Sequence, residues 1–347
     1  MGWIKKNLFS TPFNSILTVI TLFILLKTAP PFIKWAFIES SWFAESEVCK
    51  SGSGACWSVI TYNLRFIIFG FYPYEEHWRP FTSMIILFIL LYFTKNKKYR
   101  SKRLLGFWIA GLPIMGILMK GGIFGLTPVN SANWGGLPLT LLLAVFGLAA
   151  AYPLGVILAL GRISKMPAIK ALCIVYIELI RGVPLISLLF MSSIIFPLFL
   201  PEGVTISKII RAQVAIILFT AAYVAEVVRG GLQGMDKGQY EAAASLGLNY
   251  YMSMRLIILP QALKIVIPPT VSILISAFKD TSLVVIIALY DILKTSQTVL
   301  SNPKWMGFSS EVYIFIAVLY FTGCFSMSNF SRKLEKELDT EKRFNEK

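Results

Sequence analysis

The stretch GGLPLTLLLAVFGLAAAYPLGVILAL, residues 135–160, carries no charged side chain. A helix of roughly 20 apolar residues crosses a hydrocarbon core of about 30 Å, so this stretch is long enough to span one. SILTVITLFILL (15–26), FTSMIILFILLYF (81–93) and PTVSILISAF (269–278) are runs of the same kind, in a chain of 347 residues that is 56% hydrophobic and 15% charged. Soluble chains are about 25% charged, so lipid is the main solvent here. The apolar residues come in blocks and do not alternate with period two, which argues against a β-barrel. The expected fold is all-α, a polytopic membrane helical bundle. Its eight spans fall at about 13 to 36, 78 to 94, 104 to 120, 136 to 160, 171 to 199, 211 to 229, 263 to 290 and 310 to 328.

A net charge of +15 raises the question of nucleic acid, and the placement of the charges answers it. Lys5 and Lys6, KNKKYRSKR (95–103), GRISKMPAIK (161–170), the segment 229–264 and the tail from Arg332 all fall on one side of the eight spans, whereas 120–135 carries a single lysine. That alternation is the positive-inside pattern and places both termini in the cytoplasm. Nucleic acid would need a basic patch on a folded soluble surface, which such a chain does not offer. TAPPF, after the first apolar run, has no small-x-small cleavage site, so the first helix is expected to be retained. Lys6 stands where myristoylation wants Ser or Thr.

Four cysteines divide by location. Cys173 and Cys324 lie within spans and are expected as small packing residues. Cys49 and Cys56 flank KSGSGA in an extracytoplasmic segment, 37–77, where an oxidising compartment allows a disulfide. Aromatic residues around them suit the headgroup level of the membrane lipids. His77 is the only histidine, which argues against Ser-His or Cys-His catalysis and multi-histidine metal sites. No Gly-x4-Gly-Lys-Ser/Thr occurs, so the chain has no evident means of holding ATP itself, and no cofactor is expected. Features concentrate after Asn133. The expected organisation is an N-terminal extension, 1–130, with three spans and a periplasmic insert, then a core, 131–330, with five, then a tail, 331–347.

One cytoplasmic stretch is neither oily nor plainly charged. QYEAAASLGLNYYMSMRLIILPQA (239–262), within the loop 230–261, reads as two short helices. Gln239 to Leu246 are good helix formers. Gly247 suits a terminating residue of positive φ, and Asn249 is placed to cap the next helix. Ala242, Ala243 and Leu246 form a small apolar patch. So short a helix is marginal alone, and either a partner's groove or an ordinary amphipathic connector accounts for it.

Here the sequence resembles a known family. Glu241-Ala242-Ala243, three residues, Gly247, nine residues, then Ile257-x-Leu259-Pro260 looks like the EAA loop of permease subunits of binding-protein-dependent ABC importers. AYVAEVVRGG (222–231), KGQYEAAASLG (237–247), LPQAL (259–263), KDTSLV (279–284) and ELIRGVPL (178–185) resemble the polar amino acid branch of that family, and the first 130 residues are similar to its extended general L-amino acid members. The resemblance implies a type I permease core in a bacterial inner membrane, working with ABC ATPase subunits, a periplasmic amino acid-binding protein and a second permease subunit, a paralogue. It also implies that Glu241, Ala242, Ala243, Leu246, Gly247 and Pro260 dock to the ATPase, and that no covalent chemistry occurs in this chain. A secondary transporter driven by an ion gradient is the alternative class; an EAA-type loop has no purpose there.

Ionisable residues inside spans cost about 2.5 to 3.5 kcal/mol each and ask for a reason. Lys279 and Asp280, with Thr281 and Ser282 beside them and Glu226 on the preceding span, are the candidate solute pathway. Glu178 with Arg181, and Glu226 with Arg229, are spaced for local ion pairs that either position helices or line the path. Pro184, Pro268 and Pro269 mark kinks or breaks.

Overall fold

The computed structural model describes residues 2–99 and 101–345. Arg100, in the basic loop at 95–103, lies outside the described residues, as do Met1 and the last two residues of the tail. The helices in chain order are α1 (Gly2–Leu8), α2 (Pro12–Ile33), α3 (Ser46–Ser51), α4 (Ser58–Phe69), α5 (Trp78–Lys95), α6 (Lys102–Lys120), α7 (Gly136–Arg162) and α8 (Pro167–Gly182). They continue with α9 (Leu185–Phe190), α10 (Lys208–Gln233), α11 (Lys237–Ser245), α12 (Tyr250–Ser253), α13 (Leu259–Ile265), α14 (Ile267–Asp280), α15 (Ile292–Leu300) and α16 (Ser309–Asn345). Among the described residues six helices are long and apolar enough to cross a membrane, and a seventh span results if the bent pair Pro167–Gly182 and Leu185–Phe199 is counted as one. The expected span at 78–94 is helical, as α5, but stands outside that set; it includes Arg79 and is bounded by Lys95. Eight spans is thus an approximate count.

The span expected at 171–199 is not continuous. It is bent by 102° between Gly182 and Leu185. Val183 is extended, at φ −107° and ψ 133°, because the ring of the following proline crowds the helical region. Pro184 has no N–H to carry the ladder forward, so α9 starts afresh behind it. Pro268 acts differently: it occupies the first turn of α14, where a missing N–H costs nothing. The chain turns there at Val266, between α13 and α14.

The chain divides into two compact units, one of residues 1–64 with 297–315, the other of 65–296 with 316–347, a division by contact that differs from the division by chemistry near residue 130. In the first, Cys49 and Cys56 are bonded, with their Cα atoms 5.6 Å apart, and both are buried. The backbone N–H of Cys56 donates to Oε1 of Glu311 at 3.0 Å, and Lys50 donates to the carbonyl of Pro303 at 3.2 Å. Closing so short a loop contributes about 2 to 3 kcal/mol in the chain-entropy account.

The second unit is organised on α7 and α10. Gly147, Ala151, Gly155 and Ala159 recur every fourth residue, so they share one face of α7, and that face is buried. On α10 the partners include Ile216, Ala221, Val224, Ala225 and Val228, all buried. Small residues let backbones approach, and in lipid the resulting dispersion replaces the hydrophobic drive available in water. A Cβ on Gly155 would meet Val224 at 2.6 Å and the carbonyl of Ala221 at 2.9 Å. Gly136, at φ +63°, opens α7 against the carbonyl of Ile68, which a Cβ would meet at 1.9 Å. Tyr290 and Asp291 bridge in parallel to Gly135 and Gly136.

The same unit holds two buried bases outside the long spans. Arg79 is fully buried and donates from Nε to Leu118 O at 2.7 Å and from Nη1 to Thr127 O at 2.8 Å, tying the 121–129 turn to α5. His77 accepts from Arg65 Nε at 2.7 Å through Nδ1, which leaves the proton on Nε2, 2.8 Å from Tyr72 O. Burial pushes its pKa down, which favours the neutral ring.

Candidate functional site

The loop expected between about 230 and 261 is a helix pair. Asp236 caps α11, accepting from Gly238 N at 2.9 Å, and Asn249 caps α12, accepting from Met252 N at 2.9 Å. Between them Gly247 has φ +72°. Leu248 N donates to Ala243 O at 3.2 Å and Gly247 N to Ala244 O at 2.9 Å, the paired bonds of a Schellman C-terminus. Pro260 offers no N–H to the carbonyl four residues back, and the turn before it, Met254–Ile258, widens to a π-helix closed by Leu259 N to Met254 O. The side chain of Gln261 donates to that of Gln239 at 2.9 Å, closing the pair on itself.

The patch expected from Ala242, Ala243 and Leu246 is parted by this packing. Ala243 is fully buried, whereas Glu241, Ala242, Leu246, Gly247 and Pro260 are exposed. The apolar surface the pair presents comes from Leu246 with Tyr250, Tyr251, Met252 and Leu256, all exposed.

A second feature lies between α10 and α14. A cleft of about 390 Å³ is lined by Phe219, Thr220 and Tyr223 from α10 and by Ser272, Ser276 and Asp280 from α14. Of the five residues expected along a solute path, Asp280 alone is in that lining. Lys279 is exposed, and adjacent residues on a helix point apart. The hydroxyl of Thr281 is buried and donates to Phe278 O at 2.7 Å, and that of Ser282 donates to Lys279 O at 2.8 Å. Both are spent on the backbone at the point where α14 tightens into the 3-10 helix Thr281–Ile287. Asp280 therefore stands at the end of the α-helix, not in the middle of a uniform span.

Glu226 is instead the hub of an ion-pair network. Arg229, one turn on, donates to both of its oxygens, from Nε at 3.0 Å and from Nη2, and passes Nη1 to Gln233. Arg162 reaches from α7 to Oε2 of Glu226 at 3.1 Å and to Oε1 of Glu178 at 2.8 Å. Arg181 of α8 approaches the same Oε2 at 3.5 Å. Among the described residues the local pair expected between Glu226 and Arg229 forms. Glu178 pairs with Arg162, not with Arg181 on its own helix. Three guanidiniums from three helices share two carboxylates.

Several of these participants were passed over in the sequence. Arg162 counted only as a basic residue of the 161–170 segment, and no spacing rule links it to Glu226, 64 residues away. Ser272, Ser276 and Asp280 did leave a signal: they recur every fourth residue, a polar stripe down one face of an apolar helix. Asp291 left none; it is fully buried, accepts from Lys294 N at 2.9 Å as the cap of α15, and lies 3.4 Å from the hydroxyl of Tyr320. Among the described residues no three His, Cys, Asp or Glu side chains converge to hold a metal ion.

Comparison with known proteins gives a consistent result. Residues 151–340 match the family described as binding-protein-dependent transport system inner membrane component. The chain is 46% identical over 343 residues, 98% of its own length and 93% of the relative's, to the inner membrane amino-acid ABC transporter permease protein YhdY of Escherichia coli strain K12. It is 37% identical, over 98% of its length and 94% of the relative's, to the glutamate/glutamine/aspartate/asparagine transport system permease protein BztC of Rhodobacter capsulatus. A crystal structure of an amino acid ABC transporter with histidines superposes at a TM-score of 0.53, with 32% identity, covering 58% of this chain and 92% of that one.

Proposed function

Because the chain belongs to the family of binding-protein-dependent transport system inner membrane components, within the amino-acid ABC transporter permeases, we propose that it is the translocating subunit of an ATP-driven importer of L-amino acids, moved by a separate ATPase through the helix pair at 237–258. The observation that carries this reading is the exposed pair itself. Two short helices are locked at a fixed angle by the turn at Gly247, and they present Leu246, Tyr250, Tyr251, Met252 and Leu256 outward at the end of α10. Aromatic, Met and Leu side chains on a rigid helical corner are what a partner's groove accepts. In this reading Glu241, Ala242, Leu246, Gly247 and Pro260 form or frame the docking surface, and Ala243 holds the pair closed from inside.

The same reading assigns the cleft between α10 and α14 to the solute, with Asp280 its principal charged group. Lys279, Thr281, Ser282 and Glu226 set the geometry around it. Glu178, Arg181 and Arg229 hold the helix ends in register. Both termini face the cytoplasm, the disulfide-bonded insert faces the periplasm, and the chemical boundary near residue 130 separates the extension from the translocating core. A second permease chain, a paralogue, completes the path, and a periplasmic binding protein delivers the solute.

The test is reconstitution. The chain, purified from its native host with the subunits that accompany it, is placed in liposomes with the co-purifying binding protein and assayed for ATP-dependent uptake of L-glutamate, L-glutamine, L-aspartate and L-asparagine. Uptake of at least one that stops when ATP is withheld supports the reading. Uptake that follows an imposed proton or sodium gradient and ignores ATP overturns it.

A further inference from the structure

No residue of α2 is buried, whereas in the five other long spans of the described residues 17 to 50% of an 18-residue apolar stretch is. Contact with lipid suits the leucines and phenylalanines of α2. It does not suit Lys27, which is exposed in the same helix and has no hydrogen-bond or ion-pair partner among the described residues. Cations within spans almost always meet an opposite charge.

A lysine near the end of a span escapes by extending its stem to the headgroups. Lys27 is badly placed to do so. At 1.5 Å per residue it stands about 10 Å below Lys34 and Trp35, which mark one interface, and about 18 Å from Ser15 near the other. Side chains on a helix also lean toward its N-terminus, so the stem of Lys27 sets out toward the farther interface. Lys34, two turns on, shows what a lysine of this segment does when an acid is in reach: it pairs with Glu39 at 3.1 Å. A second polar defect lies in the same turn. Pro30 and Pro31 sit inside the helix with no N–H for the carbonyls four residues back, so those of Leu26 and Lys27 lack their ladder bonds. In lipid, where water cannot satisfy such groups, a neighbouring helix does.

The intramembrane acids of this chain are committed elsewhere. Glu178 and Glu226 are held by arginines, Asp291 caps α15, Glu311 accepts from Cys56, and Asp280 lines the cleft. A second copy of the chain therefore brings no free acid. We propose that α2 is a docking helix for a membrane-spanning helix of a different chain, one that brings an Asp or Glu to Lys27 and a hydroxyl or amide donor to the carbonyls of Leu26 and Lys27. Phe23 and Pro31, one turn to either side of Lys27, share its face and border the contact. Such a pair fixes the depth and rotation of one span against the other, which packing between uniformly apolar surfaces does not. The proposal depends on α2 crossing the bilayer and on no particular solute.

The test places benzoylphenylalanine at Phe23 of the full-length chain, made in its native host with its partner subunits, and irradiates intact membranes before mass spectrometry of the crosslinked peptides. The expected product is a peptide from an apolar span of another chain with an Asp or Glu within it. The same probe at Leu25, on the far side of the helix, is expected to capture phospholipid. Lys27→Leu should reduce the protein crosslink at least fivefold, and Lys27→Arg should retain it. Lys27→Glu combined with replacement of the captured acid by lysine should restore it, which separates a lost contact from a subunit that fails to insert. Capture at Phe23 of phospholipid alone, of a peptide of this chain, or of a span without an acid overturns the proposal. So does a crosslink that survives Lys27→Leu unchanged, or one that the swapped pair does not restore.

Discussion

Arg162 on α7 donates to Glu226 on α10 across 3.1 Å, and the same guanidinium holds Glu178 on α8 at 2.8 Å. One side chain thereby ties three helices at their ends. The two carboxylates are not equivalent, because Glu178 is 55% exposed and Glu226 only 23%. An exposed pair is worth about 0 to 1 kcal/mol, whereas a charged hydrogen bond away from water is worth roughly 1.5 to 3. Glu226→Gln is therefore expected to destabilise the chain by about 2 kcal/mol and Glu178→Gln by under about 0.5, read as melting shifts of the purified subunit in nanodiscs. Equal shifts would show that the network does not center on Glu226.

Gly247 has open space around its missing Cβ, so a substitution there meets backbone strain and nothing else. A left-handed φ costs a β-branched residue about 1 to 2 kcal/mol, and asparagine much less. If the helix pair couples to an ATPase as proposed, Gly247→Val should lower solute-stimulated ATP hydrolysis by the assembled complex several-fold, and Gly247→Asn should retain most of it. Full stimulation with valine would mean that the angle between α11 and α12 does not matter.

At Gly155 the strain is steric. An added methyl group meets the stiff side chain of Val224 and a backbone carbonyl, neither of which can swing aside. Alanine gains about 1 kcal/mol of helix propensity over glycine, but overpacking costs about 1 to 3. Gly155→Ala should lower the melting temperature, and Gly155→Leu should prevent accumulation of folded subunit. Gly116→Ala on α6, with nothing within 4 Å, is the control and should be neutral or slightly stabilising.

Burial pushes the carboxyl of Asp291 from 3.8 up to about 6. A raised folded pKa means that the folded state binds the proton more tightly than the unfolded one. The associated stability is complete below about pH 4 and is lost as pH rises through 6, by at most about 3 kcal/mol. Asparagine keeps the oxygen that caps Lys294 and removes the titration. The unmodified subunit should melt higher at pH 5 than at pH 7, and Asp291→Asn should flatten that difference. A persisting pH dependence in Asp291→Asn would assign it to another group.

The apolar blocks were legible because lipid enforces them along the whole of each span, and the helical corner at Gly247 was legible because its caps are local: Asp236, Gly247 and Asn249 act on residues two to five away. The contacts that assemble the cleft and the network are not local. Nothing in the sequence near Glu226 announces that Arg162 will find it, or that Ala243 will turn inward while Ala242 stays out, because those outcomes depend on how α7, α8, α10 and the π-turn at 254–258 pack. The small-residue stripe at 147, 151, 155 and 159 was present in the sequence as plainly as any motif. Against a background of leucine it reads as mere hydrophobicity unless spacing is counted.

An unbroken helix is a strut: a displacement at one end appears, undiminished and in the same direction, at the other. The extended residue Val183 and the ring of Pro184 replace the strut on α8 and α9 with two levers on a common pin. Leu185 and Leu189 seat the second lever in the buried cluster with Leu139, Leu143, Ala215 and Ile216, while Arg162 and Glu226 hold the first lever through Glu178 and Arg181. A thrust delivered along α8 would therefore reach α9 as torque about residues 182–184, turning an axial push into a sideways one across the 102° bend.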